Sequence, residues 1–155
     1  MRAVCPSRTT SRVGLRPEME PMLEYRVSAR RIDSHDSVAS TKEAEIALDT
    51  DIKGRPDAFN PAELFLAAIA ACMIKGIERV TPMLKFDLRG VEVKLHGVRQ
   101  DSPPKMISVD YELIVDTDET DQRLELLHTN VRKYGTISNT VAEATKLEGA
   151  IRRRE

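Results

Sequence analysis

Residues 60–80, "NPAELFLAAIAACMIKGIERV", constrain the fold of this chain more than any other stretch. Asn60 suits an N-cap, because its side-chain oxygen can take a free N–H group of the first helical turn. Pro61 fits the first helical position, where a missing N–H costs nothing. Glu63 stands where a capping-box carboxylate reaches back to the Asn60 N–H. The helix is expected to run to about Val80 and to stop before Pro82. Ala67, Ala68, Ala70 and Ala71 strip one section of bulk, while Leu64, Phe65, Leu66, Ile69, Ile74 and Ile77 surround it. Apolar residues on nearly every face predict a central helix buried almost all round, with another backbone close to the alanines.

Period-two alternation marks the strands that would cover it. "LEYRVSARR" puts Leu23, Tyr25, Val27 and Ala29 on one face, and Glu24, Arg26, Ser28 and Arg30 on the other. "EAEIALD" repeats the pattern with Ala44, Ile46 and Leu48, and "DSHDSVAS" between the two reads as a long hairpin loop. "VEVKLHGV" and "ISVDYELIV" are two further strands. A helix is expected over about Glu119 to Tyr134, from the spacing of Leu124, Leu127, Val131 and Tyr134, and Gly135 stands where it would end. A short helix near Ser138 to Ala144 and a strand near Lys146 to Arg152 complete the chain. The order ββαββααβ predicts an α+β fold, an antiparallel sheet against a buried helix.

With 155 residues and 41% hydrophobic content, the chain can build one domain with a real core, assigned to residues 19–155. No apolar run is long enough to span a membrane, and a net charge of -1 gives no reason to expect nucleic acid as a partner. Residues 1–18 differ: four Arg face Glu18 alone, in a Ser- and Thr-containing context without apolar periodicity. They read as a disordered leader, a start assigned too early (Met19 and Met22 follow) or an organellar transit peptide. Cys5 and Cys72 make no disulfide framework and no secretory segment is visible, so the cytoplasm is the default location.

Most common chemistries are missing. His35, His96 and His128 have no metal-ligand spacing, and there is no CxxC, GxGxxG, P-loop or GxSxG, so no metal or cofactor is expected. Cys72 remains. Most buried thiols are structural, and a reactive one needs a cation or a helix N-terminus to favour the thiolate. Cys72 lies more than two turns beyond Pro61, so the helix dipole offers little and the fold must bring a cation. If the first strand's alternation continues, Arg31 points to the same side as Ala29, where a charge is costly unless it meets an anion. If the strand stops at Ala29, Arg31 is a solvated loop residue. If a bulge intervenes, Arg30 takes its place.

These residues resemble the OsmC/Ohr family. "NPAELFLAAIAAC", after a Gly- and Asp-containing loop and before a β-β-α segment, resembles the family's first cysteine motif. "VRKYGTISNTVAEA" resembles the second, where members typically carry a Cys before a "PVS"-like stretch. The resemblance spans roughly Leu23 to Arg152. It implies strands wrapped around a long central helix, an intertwined homodimer with active sites at the subunit interface, and thiol-dependent reduction of organic hydroperoxides. Cys72 then matches the peroxidatic cysteine, and Arg30 or Arg31 the residue that stabilises its thiolate. Two departures stand out. Hydroperoxide-resistance members usually carry Glu directly after Asn-Pro. Here that place is Ala62, which leaves Glu63 between catalytic acid and helix cap, a cap that its spacing from Asn60 already explains.

Where the second cysteine is expected, the chain has Gly135. A sulfenic acid on Cys72 would then have to be discharged by an external thiol, since Cys5 lies in the leader. Three readings follow. One is a single-cysteine peroxidase for small organic or lipid hydroperoxides, with Phe65, Ile69 and Met73 lining an apolar pocket. The second is a non-catalytic redox sensor or binder of apolar small molecules. In the third, Cys72 is purely structural.

Overall fold

In the computed structural model, which describes residues 22–155, Pro61 to Leu84 form one 24-residue helix, α1. Its start is the expected capping box: Asn60 Oδ1 accepts the Glu63 N–H at 3.0 Å and Glu63 Oε2 accepts the Asn60 N–H at 2.9 Å. Its end differs from the expected stop before Pro82, because the helix runs through the proline. Proline removes the N–H that would reach the Glu78 carbonyl, and Thr81 Oγ1 donates to that oxygen instead, at 3.5 Å. Lys85 then turns left-handed (φ 49°, ψ 47°), its N–H bonding the Pro82 carbonyl and the Phe86 N–H bonding the Thr81 carbonyl. This is a Schellman ending, with Phe86 buried beneath it.

Three strands precede the helix: β1 (Ser28–Arg31), β2 (Asp36–Thr41) and β3 (Ala44–Asp49), an antiparallel sheet in that order. β2 falls in the stretch expected to be a loop. Its Ser37, Ala39, Ser40 and Thr41 carry almost no hydrophobic alternation, and it is held by ladders to both neighbours. Residues 23–27, expected as the first part of a strand, lie outside any ladder and are exposed. The loop after β3 is tied down by Arg55, which pairs with Asp36 and Asp57, and by His35 Nδ1 at 2.5 Å from Asp51. None of this sheet's residues joins the main core, and none of its strands packs broadly on any other element.

The second sheet holds β4 (Gly90–Gln100), β5 (Lys105–Asp116) and β6 (Lys146–Arg153), in the order β4-β5-β6. β4 and β5 run antiparallel, but β5 and β6 run parallel. The expected single antiparallel sheet is therefore corrected to two sheets, one of them mixed. The reason is the crossover between β5 and β6, which contains α2 (Asp121–Tyr134) and α3 (Thr136–Ala142) and returns the chain in the same direction. Alternate residues of β5 (Val109, Tyr111, Leu113, Val115) meet Leu124, Leu127 and Val131 of α2 and Val141 of α3 in the core.

Against them α1 buries one stripe, Ile69, Met73, Gly76, Ile77 and Val80. Ala68, Ala71 and Ile74 on its other side are exposed, so the all-round burial expected of this helix is not met within one chain. The elements packed on α1 are β4, α2 and α3. Among the described residues, no other element covers the alanine face. Among the described residues no helix is long and apolar enough to cross a membrane. The expectations for residues 1–18, Cys5 included, lie outside the described residues.

Candidate functional site

Cys72 occupies the border between the two faces of α1 and is half-buried, as a free thiol. Its helical neighbours at three and four residues explain that position. Ile69 and Gly76 are buried, while Ala68 and Lys75 are exposed. Lys75, one turn beyond Cys72, is a nearby cation that spacing along the helix reveals and that the search for a partner elsewhere in the fold passes over. Of the residues expected to line an apolar pocket, Ile69 is fully buried in the core, Phe65 packs partly against it, and Met73 borders a small cavity.

β1 continues to Arg31 without a bulge, pairing Arg30 with Val38 and Arg31 with Ser37. Cross-strand partners share a face, so Arg31 lies with Ala29, Ser37, Ala39, Ile46 and Leu48, and Arg30 with Ser28, Val38, Ser40, Glu45 and Ala47. Arg31 is thus on the more apolar side, as the alternation predicts. Both arginines are exposed. Because their sheet stands apart from α1, one chain by itself packs neither of them on the helix that carries Cys72. Glu63 spends one carboxylate oxygen on the Asn60 N–H. Gly135 ends α2 and begins α3 in an extended conformation (φ -79°), not the left-handed one usual after a helix. A Cβ there would lie 3.2 Å from Ser138 Oγ and 3.3 Å from the Val131 carbonyl, so any larger side chain would press on both.

The polar centre of the chain is elsewhere. Tyr111 of β5 and His128 of α2, both over nine-tenths buried, share a hydrogen bond of 2.8 Å between Oη and Nε2. Burial pushes His128 below its ordinary 6.5, Glu125 working against this and Arg132 with it, and burial pushes Tyr111 above its ordinary 10.0. Both shifts favour the uncharged forms, a protonated phenol beside a neutral imidazole. Only the absence of metal spacing was drawn from the histidines. The missed signal is that His128 follows Leu124 by four residues and precedes Val131 by three, on the buried stripe.

This pair makes a pH prediction. Below about pH 6.5 the unfolded chain takes up a proton that folded His128 resists, so this group's contribution destabilises the fold as pH falls through that value. His35, raised by its exposed pairing with Asp51, acts in the opposite sense. Comparison with the double variant Tyr111→Phe/His128→Leu isolates the buried group. Between pH 7.5 and about pH 5.5 the urea midpoint of the wild type is expected to fall relative to that of the variant. Parallel midpoints would contradict the account.

An α+β chain with a capped long helix, a half-buried cysteine at the edge of its uncovered face and a β-β-α segment behind it defines a class. The family model for OsmC-like protein matches residues 54–149, and the chain belongs to that family. Solved structures agree on the fold. An OsmC-like protein from Mycoplasma pneumoniae superposes with a TM-score of 0.77 at 16% identity, covering 86% of this chain and 99% of its own. A Legionella pneumophila structure described as an organic hydroperoxide resistance protein OsmC gives 0.69 at 18% identity, covering 85% and 98%. The organic hydroperoxide resistance protein OhrB of Bacillus subtilis gives 0.57 at 16%, covering 84% and 98%. No curated protein matches the sequence.

Proposed function

We propose that this chain is a single-cysteine thiol peroxidase of the cytoplasm, acting on small organic or lipid hydroperoxides as a homodimer. The observation that carries the reading is Cys72, placed half-buried at the edge of an uncovered apolar helix face in an OsmC-like chain. Some similar structures are named organic hydroperoxide resistance proteins. A second copy is the occupant proposed for the exposed face of α1. The detached first sheet supports this, because a three-stranded sheet that adds nothing to its own core needs another surface to lie on. Arg31, on that sheet's more apolar side, is then the arginine that the partner delivers to Cys72, with Arg30 facing away.

The thiolate of Cys72 attacks the distal oxygen of ROOH, the O–O bond breaks, and RO⁻ leaves to take a proton as ROH. The sulfur is oxidised to sulfenic acid and the peroxide reduced to alcohol. One external thiol condenses with the sulfenic acid to a mixed disulfide, releasing water. A second thiol then frees Cys72 and leaves as the external disulfide. Gly135 offers no thiol for an internal route. Glu63 serves the helix cap in this scheme.

One equivalent of cumene hydroperoxide should leave a dimedone-reactive sulfenic acid on Cys72, seen by peptide mass mapping, and dithiothreitol added first should erase it. Modification spread over methionines, with Cys72 unlabelled, would overturn the assignment. A second reading has one observation in its favour: the chain carries Gly135 in place of a resolving thiol. A sensor or apolar binder of this kind would form at most one sulfenic acid per chain, however much reductant is present.

A further inference from the structure

The exposed face of α1 changes character at Cys72. Beyond the first helical turn, the exposed residues that precede it are Ala68 and Ala71, and those that follow it within two turns include Lys75, Glu78 and Arg79. The helix runs unbroken from Pro61 to Leu84, so its register fixes where these charges stand. Arg79 lies about 20° around the helix from Cys72 and Lys75 about 60°, roughly 10 Å and 5 Å further along the axis. Glu78 is turned about 120° away, and Glu63 is tied into the cap at the start of the helix. The stripe that carries the thiol is therefore cationic. Among the described residues neither Lys75 nor Arg79 makes an ion pair. A second copy can cover alanines without loss, whereas charges without partners are costly to bury. The charged half of the face is thus the side from which a reagent in water reaches Cys72.

We propose that Lys75 and Arg79 form a cationic approach to Cys72 that selects a small carboxylate-bearing thiol as the external reductant. The inference rests on the peroxidase reading, because it names the thiol which that reading requires. A hydroperoxide with a hydrocarbon group is uncharged and indifferent to this field. The reductant is not: it attacks as a thiolate, and a carboxylate gives it a second negative charge. The first thiolate attacks the Cys72 sulfur, the S–O bond of the sulfenic acid breaks, and hydroxide leaves to take a proton as water. The carboxylate of the mixed disulfide then stands beside the two cations. A second thiolate attacks the external sulfur and Cys72 leaves as thiolate. The two external thiols, having supplied two electrons, depart as their disulfide. Two cations at these separations favour such an anion several-fold in water of low ionic strength, and salt screens the effect away.

The test follows turnover of cumene hydroperoxide by the full chain with 3-mercaptopropionate, 2-mercaptoethanol or cysteamine as reductant. Each thiol is kept below saturation, and each rate is divided by the thiolate fraction of that thiol. At about 20 mM ionic strength the wild type is expected to rank them in that order, the anionic thiol about five-fold ahead of the neutral one. The gap should close in about 0.5 M sodium chloride and in Lys75→Gln/Arg79→Gln, and persist in Lys75→Arg. Both positions are exposed, so the melting temperature should hold. Equal rates for the anionic and neutral thiols, or a gap that survives the double variant, would overturn the reductant class while peroxidase turnover stands. Absence of turnover with every thiol would instead be a failure of the peroxidase reading. Alkylation of Cys72 then decides the approach: a ratio of iodoacetate to iodoacetamide rates that falls about five-fold in the double variant upholds it, and an unchanged ratio overturns it.

Discussion

Gly149→Ala is expected to destabilise the fold by about 3 kcal/mol, lowering the melting temperature by roughly 6–12 °C. Gly149 of β6 is the cross-strand partner of Tyr111 on β5. A Cβ at Gly149 would lie 2.2 Å from the Tyr111 carbonyl oxygen and 2.5 Å from its ring. Backbone cannot retreat by rotating a bond, so the parallel ladder would have to part or the ring would have to leave its hydrogen bond with His128. Either route disturbs the core where β5, β6 and α2 meet. Ala150→Val, at the exposed next position, serves as the control and should move the melting temperature little. Thermal unfolding by circular dichroism reads both. A Gly149→Ala protein melting within about 2 °C of the wild type would contradict the close approach described for these strands.

Arg31→Ala should lower kcat/KM for cumene hydroperoxide by roughly 10²-fold, the scale on which losing one donor to a developing oxyanion acts. Arg30→Ala should leave the rate nearly unchanged. The distinction rests on register alone, since Arg31 shares its face with Ala29, Ser37, Ala39, Ile46 and Leu48, while Arg30 lies with Ser28, Val38, Ser40, Glu45 and Ala47. If Arg31 reaches the cysteine of the other copy, the two inactive variants should complement. Re-association of Cys72→Ser chains with Arg31→Ala chains creates mixed dimers with one complete site each. Random pairing in a two-fold dimer then restores about a quarter of the wild-type rate. No recovery on mixing, from chains shown to be dimeric by sedimentation, would place the arginine within its own chain's site or outside the chemistry altogether.

Much of the fold was legible because local signals agreed. Asn60, Pro61 and Glu63 announce the start of α1, and clean alternation announces β4 and β5. β2 was not legible, since Ser37, Ala39, Ser40 and Thr41 bury too little to leave a pattern, and cross-strand ladders hold it instead. The end of α1 was misread because Pro82 normally stops a helix, and here the Thr81 hydroxyl takes over the freed Glu78 carbonyl. The parallel setting of β6 depends on the whole α2–α3 crossover, which no single window contains. For the site, Cys72 stood out by elimination and by motif. Its arginine partner did not, because a residue on a sheet that leaves its own chain's core has no sequence signal for what it meets.

Turnover at Cys72 is the most direct test of the central claim. With excess dithiothreitol and cumene hydroperoxide, wild-type chain and Cys72→Ser chain are followed side by side, counting moles of peroxide consumed per mole of chain. The wild type is expected to consume many equivalents at a steady rate while the variant stays at the uncatalysed background. Equal consumption by the two proteins, or a wild type that stops after one equivalent, would contradict the peroxidase account.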